Sequence, residues 1–314
     1  MYLFQYSKNS RNYKMKKLFY LAGICFRIST ESPVESRSKM PELPEVETVR
    51  RGLENLVIGK EVASVTVLWE NIVQAFGGVT EFVNRMPGQT LLAVDRIGKF
   101  LIFHWTDVAW IAHLRMEGKY LYMPSTDPVD AYSHVILHLT DGYDLRYRDV
   151  RKFGRIHMVD KHQLDQAVKD LHLGPEPKDI TTAYLTDKLT HRKRPIKGVL
   201  LDQSVIAGIG NIYADEVLYA AKVHPEQPAN SLTDQEIQAI VDASKAIIGQ
   251  AVEAGGTTIR SYTNAFGENG HYQQYLQAYG RNGQPCARCG TLIEKISVSQ
   301  RGSHFCPNCQ QVHA

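Results

Sequence analysis

Four cysteines near the carboxyl end of the chain restrict its fold more than any other feature. They form two Cys-x-x-Cys pairs, Cys286/Cys289 and Cys306/Cys309, with sixteen residues between the pairs. Ligands of this type at this spacing are typical of a tetrahedral structural Zn²⁺ site with no position left open for water. Two disulfides are the alternative, but turn-forming residues beside the pairs, such as Pro307, favour a metal. The sequence therefore predicts one structural Zn²⁺ per subunit.

The segment between the two cysteine pairs predicts a β-hairpin. Residues 296–305 alternate between apolar and polar on both sides of a turn that contains Gly302. This pattern puts Arg301 at the tip of the hairpin. An arginine displayed on a metal-stiffened turn suits a phosphate or base contact, although a solvated surface charge has the same appearance in sequence.

The overall charge does not identify a partner. The chain has 36 Lys and Arg against 33 Asp and Glu, and residues 1–39 hold eight of the basic residues against two acidic ones. A contact with a polyanion must therefore come from local basic clusters. Two are present: Arg146, Arg148, Arg151, Lys152 and Arg155, followed by Arg192, Lys193, Arg194 and Lys197. Each of them is also compatible with an ordinary solvated face.

Residues 1–39 differ from the remainder of the chain. Lys16 and Lys17 precede a nine-residue apolar run that superficially resembles a signal peptide. The run is too short to span a bilayer, Arg27 interrupts it, and no small-x-small cleavage site follows. We therefore expect a disordered leader or a misassigned start, with Met40 as the working start or with processing that exposes Pro41. The one cysteine outside the zinc site, Cys25, lies here, which is consistent with a reducing cytoplasm.

The hydrophobic pattern of the body predicts an α+β fold. Apolar residues at helical spacing from Pro44 to Gly59 predict an opening helix, and residues 61–158 change to a β-rich pattern typical of a sandwich. Asp141-Gly142 suits a tight turn in a hairpin over 135–147. A capping box at Thr233 starts a later helix, and the proline-containing segment 173–177 reads as a linker.

Pro41 is the second chemically informative position. An initiator methionine before a small residue such as proline is normally removed, and its removal would expose a secondary amine. An α-amino group has a pKa of about 8, against about 10.4 for lysine, so more of it is neutral and nucleophilic at pH 7. Glu42 is placed to donate or accept a proton beside it. The alternative is structural, because Pro41 and Pro44 also suit the start of a helix.

Several of these motifs, taken together and in this order, resemble bacterial formamidopyrimidine-DNA glycosylases. The resemblance covers residues 40–314 and leaves out the leader. Besides the four cysteines, the matching segments are 41–51 (PELPEVETVRR), 113–118 (HLRMEG), 208–216 (GIGNIYADE) and 279–281 (YGR).

The resemblance implies the modules of the chain. It predicts a leader (1–39), a catalytic β-sandwich domain (40–172), a linker (173–177), a helix-two-turn-helix DNA-binding domain (178–278) and a zinc finger (279–314). It also implies a monomer that acts on double-stranded DNA in the cytoplasm and has no membrane partner.

The resemblance further implies a bifunctional enzyme that excises 8-oxoguanine and formamidopyrimidines and then cuts the strand by β,δ-elimination. Pro41 would attack C1′ and form a Schiff base, Glu42 would transfer protons at the deoxyribose, and Lys99 would contact phosphate and assist the chemistry. The damaged base must first leave the stack.

The resemblance also predicts which residues contact DNA. Met116 and Phe153 match the wedge residues that fill the gap in the duplex, and Arg151 matches the arginine that bonds the orphaned cytosine. Asn211 and Arg301 match the pair that holds the backbone at the lesion. The damaged-base loop would comprise Thr257, Thr258, Arg260, Ser261 and Tyr262.

Two alternatives stay open at the level of sequence. One is an endonuclease VIII-like glycosylase for oxidised pyrimidines, which shares the proline and the zinc finger. The other is a zinc-ribbon DNA-binding protein without enzymatic activity, which would follow if Pro41 were never exposed, because an amide nitrogen cannot form an iminium. His113 is expected to be structural or to lie near the wedge, and Glu216 to orient the glycine-rich turn.

Overall fold

The amphipathic pattern at the start of the body forms helix α1, as predicted. The computed structural model describes residues 40–257 and 270–313. Helix α1 (Leu43–Val57) has Glu42 as its N-cap and Pro44 in its first turn, where a missing N–H costs nothing. Val46, Val49 and Leu53 on one face are buried in the core of the N-terminal half.

A β-sandwich follows α1, which confirms the predicted β-rich region. Its first sheet has the strand order β1-β7-β8-β6 and its second the order β2-β9-β5-β4-β3. The nine strands are β1 (Val62–Val67), β2 (Val73–Ala75), β3 (Leu91–Ile97), β4 (Phe100–Trp105), β5 (Val108–His113), β6 (Lys119–Pro124), β7 (Ser133–Leu139), β8 (Tyr143–Arg148) and β9 (Arg155–Asp160). Trp105 and Trp110 are fully buried, with ring centroids 5.0 Å apart.

The predicted hairpin is formed by β7 and β8, with Gly142 at positive φ in its turn.

Helix α2 (Gly78–Arg85) has no counterpart in the sequence prediction. It begins after Gly77, which adopts a left-handed conformation, and it buries Phe82 against Trp110 with ring centroids 5.1 Å apart. Eight residues with one large apolar contact give too weak a periodic signal to read from the sequence.

The second half of the described chain is helical. Its first helix, α3 (Leu164–Lys169), packs on the sandwich, where Leu164 lies in a cluster with Ile102, Ala109 and Ile111. The other helices surround a separate core: α4 (Thr182–Leu189), α5 (Ile196–Leu200), α6 (Asn211–Ala221) and α7 (Asp234–Glu253). Short 3₁₀ turns lie at Glu70–Ile72, Lys161–Gln163, Ala229–Ser231 and Tyr272–Tyr275. The capping box predicted at Thr233 is present at the start of α7. Within the described ranges, no helix is long and apolar enough to cross a membrane.

One residue of α1 belongs to the core of the helical half. Leu43 is 3% exposed and packs in the cluster that contains Ile209, Ile212 and Val217. Its backbone N–H also donates to the carbonyl oxygen of Gly208 at 3.1 Å. The amino end of α1 is therefore seated on the helical half, while the remainder of α1 packs on the sandwich.

The hairpin between the cysteine pairs forms as predicted, but its turn differs. Strands β10 (Glu294–Val298) and β11 (Arg301–Phe305) are antiparallel, and Val298 pairs with Arg301. The turn consists of Ser299 and Gln300, both at positive φ, a geometry that suits two-residue hairpin loops. Gly302 lies in the strand, so Arg301 is the first residue of β11 instead of the residue at the tip. The sequence reading misplaced the turn because it took the glycine as its marker.

Candidate active site

The carboxylate of Glu42 lies at the amino end of α6. Its Oε2 accepts from the backbone N–H of Gly210 at 2.7 Å, and its Oε1 accepts from that of Ile212 at 2.8 Å. These N–H groups belong to the first turn of a helix, where they lack partners within the helix and carry a partial positive charge. The residue after Pro41 is thus bound to a helix 168 positions further along the chain.

Glycines are required where the start of α1 meets the turn before α6. A Cβ atom at Gly210 would lie 2.4 Å from Cδ of Glu42, and one at Gly208 would lie 2.7 Å from Cβ of Leu43. Both separations are well inside van der Waals contact. The Gly208-x-Gly210 pattern is therefore explained by the close approach of α1 to the start of α6.

Glu42 and Lys99 are buried together, and burial shifts the pKa of both. Burial raises the pKa of Glu42 to about 7, opposed by the charge of Lys99 and by the backbone N–H bonds. Burial lowers the pKa of Lys99, opposed by Glu42 and Glu45. The ammonium group of Lys99 donates to the carbonyl oxygen of Ile209 at 2.9 Å, beside the glycine-rich turn. A carboxyl group that titrates near pH 7 suits proton transfer.

Glu45 is a site residue that the sequence reading missed. Its side chain accepts from the N–H of Glu42 at 3.0 Å, the hydroxyl of Tyr213 at 2.8 Å and the N–H of Thr257 at 2.7 Å. Burial raises the pKa of Glu45. The pattern Glu42-x-x-Glu45 forms a capping box, a signal that was available in the sequence but is usually sought with Ser or Thr at the first position.

Asn211 and Arg301 are brought together by the zinc hairpin. Asn211 is the first residue of α6, and its side-chain amide donates to the carbonyl oxygen of Gly302 at 3.0 Å. Lys197 donates to the same oxygen at 2.9 Å and pairs with Asp215 at 2.7 Å. The backbone next to Arg301 is thus held by two side chains of the helical half.

The two segments that carry the predicted wedge residues pack on one tyrosine. A Cβ atom at Gly118, two residues after Met116, would lie 2.2 Å from the hydroxyl oxygen of Tyr147. One at Gly154, directly after Phe153, would lie 1.6 Å from it. Tyr147 is 1% exposed, whereas Phe153 is 48% exposed. The structure therefore brings the Met116 turn and the 149–154 turn to the same buried anchor.

Arg151 lies over the exposed ring of Phe153, with Cζ 4.7 Å from the ring centroid.

His113 packs edge-on against Phe100, with ring centroids 4.7 Å apart, and its Nδ1 accepts from the N–H of Arg115 at 2.9 Å. Burial lowers the pKa of His113 to about 3, so the ring is neutral and its Nδ1 can act as this acceptor. His113 therefore supports the turn that carries Met116.

The expected damaged-base loop is described at one residue only. Thr257 is 5% exposed, and both its N–H and its hydroxyl bond the carboxylate of Glu45. The other four positions, Thr258, Arg260, Ser261 and Tyr262, lie outside the described residues.

Five of the nine residues in the two basic clusters form ion pairs within the protein. Arg146 is 1% exposed and pairs with Asp144, while Lys197 is fully buried against Asp215. Further pairs join Arg148 to Asp130, and Arg192 and Arg194 to Asp202. Lys197 is thus wrongly placed in a surface cluster by sequence proximity. Glu216 also differs from expectation, because it accepts from the backbone N–H groups of residues 277–279 and not from the glycine-rich turn.

The four cysteines converge as the spacing predicts. Their Sγ atoms all lie within 4.8 Å of one another, with Cys289 and Cys306 3.5 Å apart and Cys286 and Cys309 4.0 Å apart. Four thiolates at about 2.3 Å from one Zn²⁺ are separated by about 3.8 Å, whereas a disulfide requires about 2.0 Å. The donor set therefore fits one structural Zn²⁺. Tyr219 of α6 lies beside it, with its hydroxyl oxygen 3.2 Å from Sγ of Cys286.

The fold and the site together define a class of protein with a four-cysteine metal site and with two buried ionisable groups, Glu42 and Lys99, where a β-sandwich meets a helical module. Three family models match the chain: the formamidopyrimidine-DNA glycosylase N-terminal domain over 40–156, the H2TH domain of the same enzymes over 173–263, and a zinc finger found in FPG and IleRS over 283–312.

Curated relatives and solved structures agree with the family models. The formamidopyrimidine-DNA glycosylase of Streptococcus pneumoniae is 49% identical over 274 residues, which are 87% of this chain and 99% of the relative. That of Ligilactobacillus salivarius is 50% identical over 276 residues, with the same coverage. Two Lactococcus lactis Fpg structures are also similar. The complex with DNA containing an abasic site has a TM-score of 0.80 and 39% identity, covering 86% of this chain and 99% of that one. The complex with DNA containing N7-benzyl-Fapy-dG has a TM-score of 0.81 and 40% identity, covering 86% and 100%.

The chain belongs to the formamidopyrimidine-DNA glycosylase family. It is a base-excision-repair glycosylase with a structural zinc, and AP lyase activity is characteristic of its family. The α+β fold class read from the sequence is confirmed.

We predict that Cys306→Ser loses the metal and the order of the hairpin together. Metal binding supplies on the order of 10 kcal/mol in isolated zinc modules, and the small core around Cys306 has little else to hold it. Metal content and limited proteolysis of the region after 279 provide the measurement, with the exposed Ser297→Ala as the control. A variant that keeps one equivalent of zinc and resists the protease would contradict the prediction.

We also predict that Gly210→Ala destabilises the protein by about 1–3 kcal/mol, because the new Cβ overlaps the Glu42 carboxyl group. Gly249→Ala is the matched control. Gly249 lies inside α7 with nothing near its Cβ position, so this change should stabilise by about 0.5–1 kcal/mol. Urea unfolding measures both, and equal effects would show that the contact with Glu42 is unimportant.

Proposed function

We propose that this glycosylase excises oxidised purines, 8-oxoguanine and formamidopyrimidines, from double-stranded DNA and then cuts the strand as an AP lyase. A single observation carries the proposal. The residue next to Pro41 is a buried glutamate whose pKa is about 7, and a buried lysine shares its surroundings. An amine and a carboxyl group that titrates near neutrality are the two groups needed for amine attack at C1′ with proton transfer.

The chemistry proceeds through an iminium. The lone pair of the Pro41 nitrogen forms a bond to C1′, the glycosidic bond breaks, and the base leaves with the electron pair and takes up one proton, which balances the N–H proton that the Pro41 nitrogen gives up. Glu42 in its protonated form gives a proton to O4′, so the sugar ring opens and Pro41 becomes a cationic Schiff base. That cation acidifies the C2′ proton, and its removal expels the 3′ phosphate. A second elimination releases the 5′ phosphate.

This mechanism requires Pro41 to carry a free amine. The family model for the catalytic domain begins its match at residue 40, one position before Pro41. We therefore propose that the active form has Pro41 at its amino terminus, through translation from Met40 or through processing. Bacterial DNA in the cytoplasm is the proposed place of action.

The proposed DNA contacts follow the geometry of the exposed and half-buried residues. Asn211 and Arg301 hold the phosphate backbone beside the centre, supported by the Gly302 carbonyl that Asn211 bonds. Met116 and Phe153 fill the space of the flipped nucleotide, and Arg151 bonds the base left opposite. Structures of Lactococcus lactis Fpg with DNA containing an abasic site or a Fapy-dG lesion support this class of substrate.

Borohydride trapping tests the Schiff base. Protein begun at Met40, with the methionine removed, should give a covalent adduct with a duplex that contains 8-oxoguanine opposite cytosine. The matched control keeps one N-acetylated residue before Pro41 and should give no adduct, because the Pro41 nitrogen is then an amide and the new amino terminus is blocked. Trapping by the control would eliminate Pro41 as the nucleophile. Faster excision of thymine glycol than of 8-oxoguanine would instead favour an endonuclease VIII-like specificity.

The pH dependence tests Glu42 as the proton donor. Its pKa is raised to about 7, so the donor form predominates below that pH and is lost as the pH rises through it. The neutral amine of Pro41, with an ordinary pKa of about 8, is gained over the same range, so the single-turnover excision rate should pass through a maximum between about pH 7 and pH 8 and fall on its basic side. In Glu42→Gln the rate should be low and the basic limb absent, while damaged DNA is still bound. A basic limb that survives in Glu42→Gln would contradict the donor role.

A further inference from the structure

We propose that Trp69 is a positioning residue that holds the turn bearing Arg151 and Phe153, and that it thereby sets how strictly the enzyme selects the base opposite the lesion. The inference rests on the proposed function, because it takes Arg151 as the reader of that base. Trp69 is not part of any motif that the sequence reading used.

The 149–154 turn is shaped by one carboxylate. Oδ1 of Asp149 accepts from the N–H of Arg151 at 3.0 Å, and Oδ2 accepts from those of Phe153 and Gly154 at 2.9 and 2.8 Å. Asp149 is 1% exposed, so these bonds are shielded from water. The N–H of the remaining residue, Lys152, donates to the carbonyl oxygen of Asp149 at 3.3 Å. The buried Asp149 therefore fixes the backbone conformation of the turn.

Lys152 is the strained position of this turn. It has φ of 59°, in the left-handed region, which a residue with a Cβ adopts at a cost of about 1 kcal/mol or more. Such a conformation persists only when the surroundings hold it. The carboxylate of Asp149 bonds the residues beside Lys152, and the Asp149 carbonyl bonds the Lys152 N–H, so the Lys152 side chain is the part that needs a separate support.

Trp69 supplies that support. The ammonium nitrogen of Lys152 lies 3.9 Å from the centroid of the Trp69 ring, well within cation–π distance. Tryptophan is the best of the aromatic side chains for such a contact. The contact fixes the direction of the Lys152 side chain and thus favours the backbone conformation from which it projects.

The indole ring of Trp69 is itself held in place by the β-sandwich. Trp69 is partly buried and packs against the core of the β-sandwich. The backbone N–H of Leu68, its neighbour, donates to the carbonyl oxygen of His134 at 2.8 Å. The ring of His134 in turn has its Nε2 2.7 Å from the carbonyl oxygen of Asp149. The segment that carries Trp69 and the turn it supports are therefore tied to the same residue of β7.

The turn is thus held on two sides. Tyr147 lies against Gly154 on the inner side, and Trp69 lies against Lys152 on the other. Arg151 and Phe153 flank Lys152 in sequence and are stacked on each other. Without the Trp69 ring, Lys152 is less restrained and the guanidinium group of Arg151 samples more orientations. The donors of Arg151 select cytosine only when the group has a fixed orientation. The preference for cytosine opposite the lesion should therefore decline before the excision rate does.

The experiment compares excision of 8-oxoguanine opposite cytosine with excision opposite adenine, as the ratio of the two kcat/KM values. Trp69→Ala should reduce this ratio by about two- to fivefold, the range that an exposed cation–π contact supports. Trp69→Phe, which keeps an aromatic ring, should retain most of the parent's ratio. Leu68→Ala is the matched control, since Leu68 is adjacent, 55% exposed and bonded to His134 only through its backbone. It should leave the ratio and the thermal midpoint as in the parent.

The double variant identifies the route of the effect. In a Lys152→Met background, Trp69→Ala should change the ratio no further, because the cation it supports is gone. A further loss in that background, or an unchanged ratio in Trp69→Ala alone, would overturn the inference. The same loss in Trp69→Phe as in Trp69→Ala would also overturn it.

Arg151→Ala separates the inference from the proposed function. If Arg151→Ala lowers the ratio and Trp69→Ala does not, only the role of Trp69 fails. If Arg151→Ala leaves the ratio unchanged, the proposed role of Arg151 fails, and with it the inference that depends on it.

Discussion

The carboxyl group of Glu42 at the amino end of α6 is the interaction on which the site depends. Backbone N–H groups of the helix and the nearby charge of Lys99 favour its charged form, whereas complete burial favours its neutral form. Burial prevails and raises the pKa to about 7, which leaves a group that can exist in either state at neutral pH. The same contact joins the start of α1 to the helical half, so the geometry that fixes Pro41 also sets the proton affinity of its neighbour.

Glycines make these contacts possible at two separate places. At Gly208 and Gly210 the absent side chains admit Leu43 and Glu42, and at Gly118 and Gly154 they admit the hydroxyl of Tyr147. In each case an element that carries a proposed functional residue lies directly against a buried side chain. The position of the reactive groups is therefore determined by backbone-to-side-chain packing, which is far less adaptable than contact between two long side chains.

The features predictable from sequence were those encoded by nearby residues. Helix α1, the hairpin at Gly142, the capping box at Thr233 and the four-cysteine cluster all have their signals within a few residues or in a fixed ligand spacing. Two of the errors concerned buried charges. Arg146 pairs with Asp144 on the same strand and donates to the carbonyl oxygens of residues 127 and 128, and Lys197 pairs with Asp215 and donates to the zinc hairpin. Their place in basic clusters made both look like surface cations, because the burial of a charged side chain is not visible in a local pattern.

The zinc ribbon supports the proposed DNA contacts more directly than it supports the Glu42 site. Its contacts with α6 lie along the helix: Asn211 bonds the Gly302 carbonyl, Asp215 bonds the N–H of His304, and Tyr219 lies against Cys286. These contacts place Arg301, whereas the N–H groups that hold Glu42 are fixed by the burial of Ile212 and Tyr213 in the helical core. The metal therefore supports the residues proposed to hold the phosphate backbone, and the core of the helical half supports the residue proposed to transfer protons. Because both supports act through α6, that helix fixes the proposed binding residues relative to the proposed reactive ones.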